Sequence, residues 1–273
     1  MNICLFDKNE IQCSEPFLSF DDKRGEHIIK VLHKKEDESF TAGIIGGESG
    51  AAKITRIDES GRRIYFSFTA SGNGKPLNPL KMIVGFPRPI QLRRLLRDVA
   101  ALGICELHLT GTELGEKSYM QSDLAEPEKV HELLLEGTVQ AGSTHVPQAF
   151  IHHNLQECLR SLSLSKGLSK SNGNQKLICL DNVNPKCSLN DMVEHLRQTV
   201  VPELVEGPDP QVEGQEPQII AAIGSERGWT DKERALLESV GFIRCGMGER
   251  IMRTETAVTV AGAIILNGLG KLE

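Results

Sequence analysis

The stretch from Gly246 to Asn267 constrains this chain more than any other. A Gly-Met-Gly turn leads into a basic loop holding Arg250, Ile251, Met252 and Arg253, and Thr254 and Glu255 then open a helix of small, apolar residues. Thr254 fits an N-cap, and Glu255 suits the positive end of the helix dipole. From Ala257 to Leu266 there is no charge, so the helix is expected to be apolar all round and buried. A buried helix entered through two glycines and two arginines implies a binding loop clamped onto a core.

A second stretch has matching logic. Ile219 to Ile223 is a short apolar run that reads as a parallel strand covered on both faces. It ends in Gly224, Ser225, Glu226, Arg227, Gly228 and Trp229, and Thr230 with Glu233 forms a capping box for the next helix. Strand, glycine loop and helix in that order place a ligand-sized gap at the strand's carboxyl end.

Length allows one large or two modest domains with an ample core. A net charge of -6 argues mildly against nucleic-acid binding, since phosphate contacts need Lys and Arg. Clustering overrides it between Lys81 and Arg97, where Lys81, Arg88, Arg93, Arg94 and Arg97 precede the first acid, Asp98. The seven cysteines are scattered without a Cys-x-x-Cys pair, which predicts neither a metal site nor a disulfide framework and favours a reducing compartment. The start is charged too early for a signal peptide, and no apolar run reaches membrane-spanning length. A cytoplasmic location is expected.

Residues 1–72 read as strands around one short helix, Arg24 to His33. Ser39–Ile45, Ala51–Ile57 and Arg63–Thr69 are the clearest strands, the last alternating through Ile64, Phe66 and Phe68. A small β-barrel is the expected first domain, with 73–79 as linker. Over 80–273, strands (81–86, 106–109, 149–152, 176–180) alternate with helices (90–102, 127–140, and one begun by Ser188 with Asp191), which predicts a mostly parallel sheet. Polar and proline-rich inserts at 161–175 and 202–217 interrupt this rhythm, the second a tandem acidic repeat that is expected to stay disordered.

Several local signals admit more than one reading. Gly111 to Ser118 almost spells a phosphate-binding loop, but Glu116 stands where glycine is needed; an exposed turn is the alternative. His152 and His153 are adjacent, so they point apart on a strand, one packed and one solvated, and suit no shared metal. Gly142 is a candidate helix stop. Arg88, Arg93, Arg94 and Arg97 are either the wet face of a helix or an RNA contact, and the absence of nearby acids favours RNA. For Arg250 and Arg253 the structural alternative is a salt bridge with Glu226, Glu249 or Glu255.

These residues resemble a known family. Met247-Gly-Glu-Arg-Ile-Met-Arg-Thr-Glu-Thr-Ala257 is similar to the Leu-Gly-x-Arg-Ile-Leu-Arg-Thr-Glu-Thr-Ala motif of the RsmE family, the 16S rRNA (uracil-N3)-methyltransferases of the SPOUT superfamily. Ile223-Gly-Ser-Glu-Arg-Gly228 resembles that family's strand followed by Gly-Pro-Glu-Gly-Gly, departing at Ser225 and Arg227. His27-x-x-x-Val31-Leu32 resembles its PUA-like RNA-binding domain, with His33 where the family has Arg, and Gln140 to Pro147 resembles a further family segment. Glu116 to Tyr119 is similar to a run near its RNA surface, which adds Lys117 and Tyr119 to the RNA-binding candidates.

The resemblance implies an α/β SPOUT domain with a deep trefoil knot, a PUA-like β-barrel before it, S-adenosylmethionine as cofactor, 16S rRNA or the small ribosomal subunit as partner, and a homodimer paired through the last helix and the helix after Ser188. Expected donor contacts are Leu180, Ile223, Gly224, Ser225, Glu226, Gly228, Met247, Gly248, Ile251, Met252, Arg253 and Thr256. Glycines admit close backbone approach and the apolar side chains wall the adenine and thioether. Removing the N3 proton of uracil leaves an anion that a guanidinium would stabilise; Arg253 is the first candidate, Arg250 the second, and Glu255 orients the arginine or takes the proton. Ser225 and Arg227 alter the dihedrals and charge of the donor loop. The alternatives are a non-catalytic RNA-binding assembly factor on the same fold, and a methyltransferase acting on another RNA.

Overall fold

Alternating and continuous apolar runs sort the chain into two kinds of sheet in a computed structural model, which describes residues 2–164, 175–200 and 218–272. The insert expected at 202–217, and most of that at 161–175, lie outside the described residues. Two compact units emerge. One comprises Met1–Leu77 with Leu135–Val146, and the other Asn78–Leu134 with Pro147–Glu273.

In the first unit, five strands form one sheet: β1 (Cys4–Phe6), β2 (Phe17–Ser19), β3 (Ser39–Ile44), β4 (Ser49–Asp58) and β5 (Arg63–Gly72), in the order β1-β3-β4-β5-β2. β1 runs parallel to β3 and the remaining pairs are antiparallel. Phe6, Phe40, Ile54, Ile64 and Phe66 fill its core. After the short α1 (Lys8–Ile11), the helix expected over 24–33 is α2 (Lys23–Glu26) running into a π-turn (His27–Val31), capped by the Asp22 side chain on the Arg24 amide. Thr144, in the segment that joins this unit, donates its hydroxyl to the Gly47 carbonyl at 2.7 Å.

The second unit is built on a seven-stranded sheet: β6 (Asn78–Gly85), β7 (Ile104–Thr110), β8 (Gln148–His152), β9 (Gln175–Leu180), β10 (Cys187–Ser188), β11 (Gln218–Ile223) and β12 (Ile243–Gly246). Their order is β10-β12-β9-β11-β6-β7-β8, and every pairing is parallel. β11 lies between β9 and β6 with Ile219, Ile220, Ala221 and Ala222 fully buried, as its unbroken apolar run requires. The helices of this unit include α3 (Pro89–Ala101), α5 (Leu155–Ser161), α6 (Leu189–Val200), α7 (Asp231–Ser239) and α8 (Thr254–Gly268), while α4 (Pro127–Ala141) begins in it and ends in the other. α3 buries Leu92, Leu95, Leu96 and Val99 and stops at Gly103, φ +65°. Reciprocal Ser188 and Asp191 bonds start α6, and the Thr230–Glu233 capping box starts α7.

Two expectations about the last helix are corrected. Its N-cap is Arg253 rather than Thr254, whose side chain is 3% exposed inside the first turn, where packing outweighs capping. Its surface is also not buried all round. Val258, Ala261, Ile265 and Leu266 are buried, but Val260, Ala263 and Ile264 are only half-buried, because only one flank packs on α3, α6 and the sheet.

Candidate active site

Because all seven strands run the same way, their carboxyl ends form one edge, and the two glycine-bearing turns leave from it one strand apart, after β11 and after β12 with β9 between. A cavity of about 310 Å³ opens there, lined by Arg88, Gln91, Glu226, Ile251, Met252 and Arg253. Glu226 comes from the first turn and Ile251 to Arg253 from the second, so both turns contribute to one hollow. Its volume lies at the lower end of small-molecule sites. Of the other predicted donor contacts, Leu180 and Ile223 are buried at the ends of β9 and β11. Gly224, Ser225, Gly228, Met247 and Gly248 continue along the same edge without lining the cavity, and Thr256 is exposed on the helix beyond.

The first turn is tightly held. Gly228 returns its amide to the Ser225 carbonyl at 2.8 Å and adopts φ +74°, a left-handed conformation that favours glycine. Gly85, at the end of β6, lies directly beneath: a Cβ there would stand 2.2 Å from the Ser225 nitrogen and 2.7 Å from the Gly224 carbonyl carbon. Ser225, the departure from the family's proline, is buried and accepts a hydrogen bond from the Thr112 hydroxyl at 3.0 Å. Glu233, 5% exposed, accepts the Glu113 amide through Oε1 and the Thr230 amide through Oε2, both at 2.9 Å. The segment after β7, which nearly spells a phosphate loop, is thereby tied to the first turn. Arg227 is exposed.

Charge at the cavity is set by Arg88, whose Nε lies 3.0 Å from Glu226 Oε2. A hydrogen bond with the Tyr119 side chain, followed by the attraction of Glu226, raises the Arg88 pKa. Glu226 is thus occupied by Arg88, and neither Arg250 nor Arg253 forms a salt bridge among the described residues. Both are exposed. The structural alternative posed for these two arginines finds no support. Arg253 lines the cavity, whereas Arg250 does not. Glu255 is 6% exposed, and its Oε2 has no hydrogen-bond partner among the described residues. Ile251 is 88% exposed, a wall open to solvent on its outer side.

Arg93, Arg94 and Arg97 project from the exposed side of α3, and Lys117 and Tyr119 occupy a short 3-10 turn, Lys117–Gln121. Arg88 and Tyr119, from two candidate RNA-contacting stretches, touch one another. Sequence reasoning missed Gly85, Gln91, Thr112 and Glu233. Glu233 was legible only as a cap, and the other three carry no local signal, since their roles come from strands brought together across the sheet.

A separate polar chain crosses β6 to β8. Lys81 Nζ lies 2.8 Å from Glu106 Oε1, Glu106 Oε2 lies 3.1 Å from His108 Nε2, and His108 Nδ1 lies 3.0 Å from His152 Nε2. Burial lowers the pKa of both histidines. For Glu106 burial acts upward, but bonds from Lys81 and His108 outweigh it and the net shift is downward. His152 is packed and His153 exposed. With Cys158, the ligand atoms of His108 and His152 lie within 4.8 Å of one another, a grouping from three elements that spacing along the chain does not reveal; the two rings spend their facing nitrogens on each other.

Residues 73–266 match the model of the RNA methyltransferase domain family. The chain is 40% identical over 266 residues to the ribosomal RNA small subunit methyltransferase E of Treponema pallidum, covering 97% of this chain and 91% of that one. The chain belongs to the ribosomal RNA small subunit methyltransferase E family. A Borreliella burgdorferi member of the family is 27% identical, with 97% of each chain covered. Among solved structures, family member E from Neisseria gonorrhoeae, bound to S-adenosyl methionine, superposes with TM-score 0.69 at 18% identity, covering 98% of this chain and 97% of that one. A probable rRNA methyltransferase from Porphyromonas gingivalis gives TM-score 0.70 at 16% identity over the full length of both chains. At such identities the likeness concerns the fold.

Proposed function

We propose that this chain transfers a methyl group from S-adenosylmethionine to N3 of one uridine in 16S rRNA. Family membership makes it an S-adenosylmethionine-dependent rRNA methyltransferase; the uracil N3 position, the residue roles, the knot and the dimer are the proposed parts. The observation that carries the reading is the cavity shared by the two turns, with Glu226 on one side and Ile251, Met252 and Arg253 on the other.

The residues present fit the donor. Apolar Ile251 and Met252 suit the adenine and thioether, and glycine turns at the strand ends leave backbone groups free to approach its edge. Leu180, Ile223, Gly224, Ser225, Gly228, Met247 and Gly248 along the same edge, with Thr256 on the helix beyond, complete the proposed donor contacts. When bound, the donor supplies an electrophilic methyl group on sulfonium.

The rest of the chemistry belongs to the chain. N3 lies on the Watson–Crick edge and is protonated at neutral pH, so the target must be unpaired and turned outward. Loss of that proton spreads negative charge over O2, N3 and O4. The Arg253 guanidinium, at the cavity and without a salt bridge among the described residues, stabilises it by placing a positive charge where the negative charge develops. Arg250 supplies a second positive charge from the same loop. Glu255, buried in the first turn of α8, orients this loop or accepts the proton. Arg88, Arg93, Arg94, Arg97, Lys117 and Tyr119 hold the RNA backbone and set its register.

In this proposal the N-terminal sheet is a PUA-like RNA-binding barrel, residues 73–79 are its linker to a catalytic domain over 80–273, and the last strands and loops form a trefoil knot. A second copy would cover the half-buried stripe of Val260, Ala263 and Ile264 together with α6, giving a homodimer in the cytoplasm. Mapping N3-methyluridine in 16S rRNA from cells with and without the gene tests the assignment: loss of one modified uridine supports it, and an unchanged map refutes it.

A further inference from the structure

We infer that Cys187 and Cys245 form a reversible disulfide under peroxide and that this bond weakens donor binding; the second half rests on the reading of Gly246 to Gly248 as a donor turn. The two residues are Cα partners on β10 and β12, and their sulfur atoms lie 3.5 Å apart. Neighbouring strands are about 4.8 Å apart, inside the range of Cα separations that a disulfide tolerates. β10 is only two residues long and lies at the sheet edge, so it can yield as the sulfurs close to bonding distance. Cys187 is partly exposed, whereas Cys245 is buried. A small oxidant therefore meets Cys187 first, and Cys245 waits beside it.

The chemistry balances with hydrogen peroxide. The Cys187 sulfur attacks one peroxide oxygen, breaks the O–O bond and becomes a sulfenic acid, with one water released. The Cys245 sulfur then attacks the sulfenic sulfur, its proton leaves with the hydroxyl as a second water, and an S–S bond remains. Two thiols lose two electrons and the peroxide gains them.

Cys245 immediately precedes Gly246, where the second turn begins. Its carbonyl accepts the Asp181 amide at 3.1 Å, and the Arg244 carbonyl accepts the Lys186 amide at 2.9 Å, so the strand end and the 181–187 segment already move together. Closing the 3.5 Å gap draws on both strands, so the end of β12 shifts as β10 yields, and with it the loop carrying Ile251 to Arg253.

The test treats the full-length protein with hydrogen peroxide, blocks free thiols by alkylation, and reads unreduced peptides by mass spectrometry, with S-adenosylmethionine titrations of reduced and oxidised protein in parallel. The expected result is a Cys187–Cys245 cross-linked peptide that dithiothreitol cleaves, and donor affinity that falls by roughly tenfold on oxidation, as a displaced binding loop implies. Reduction restores it, and Cys187→Ser protein is indifferent to peroxide. Both cysteines alkylated at a dose that oxidises exposed Cys13, or Cys245 linked to Cys179, overturns the pair. A disulfide with unchanged affinity overturns the coupling. If reduced protein binds no donor, the donor reading fails, while the peptide masses still decide the disulfide.

Discussion

Gly85→Ala is the substitution that separates a positioned donor loop from a passive one. The new methyl carbon would stand 2.2 Å from the Ser225 nitrogen, 2.7 Å from the Gly224 carbonyl carbon and 2.8 Å from the Ser225 Cα, all backbone atoms that cannot rotate away. Relaxed heavy-atom contacts lie near 3.5–4.0 Å, so the first turn must retreat by about 1 Å. Overpacking of this kind costs about 1–3 kcal/mol, tolerable for a domain whose core is otherwise untouched. Function is less forgiving: a displacement of about 1 Å near the reacting groups costs on the order of 100-fold in rate. Donor affinity by calorimetry, turnover on rRNA and thermal melting should be measured together. Gly72→Ala serves as the control, since a Cβ there meets nothing within 4 Å. The expected pattern is a folded Gly85→Ala protein with weakened donor binding and turnover down by roughly two decades. Wild-type donor affinity and turnover in a folded variant would refute the placement of the donor against this turn.

Arg253→Ala should lower single-turnover methylation by about 100- to 1,000-fold, the usual loss when one preorganised stabilising group is removed, with melting temperature unchanged; normal turnover in this variant removes Arg253 from the chemistry. Arg93→Ala with Arg94→Ala should weaken rRNA binding and flatten its salt dependence by roughly 0.7–0.9 per lost phosphate contact, and an unaltered slope means that α3 faces solvent. Burial lowers the pKa of His108 and His152 from the ordinary value of 6.5, so the unfolded chain takes up protons that the folded chain refuses. Stability should be full above that value and decline as pH falls below it, towards the lowered values of the folded state. A His108→Gln, His152→Gln double variant should show a shallower decline in the same melting series, and an unchanged slope would place the acid sensitivity elsewhere.

The sequence revealed what depends on neighbours along the chain. The apolar run at Ile219–Ile223, the caps at Thr230 and Ser188, and the glycine stops at Gly103 and Gly142 are local, and the structure has them at those positions. Contacts made across the sheet were hidden. Nothing near Gly85 announces that a loop more than a hundred residues later crosses it, and nothing near Cys187 announces Cys245. The last helix misled for the opposite reason: a run without charge cannot say which flank is packed, so Val260, Ala263 and Ile264 read as core although they are only half-buried.

A crystal structure with S-adenosylhomocysteine, the unreactive product, tests most directly whether this one hollow is the donor site. The predicted result is the adenine and thioether held between the turn at Gly224–Gly228 and the loop from Met247 to Arg253, with Arg253 facing the sulfur side. Ligand bound elsewhere, with this hollow left empty at saturating concentration, would contradict the account.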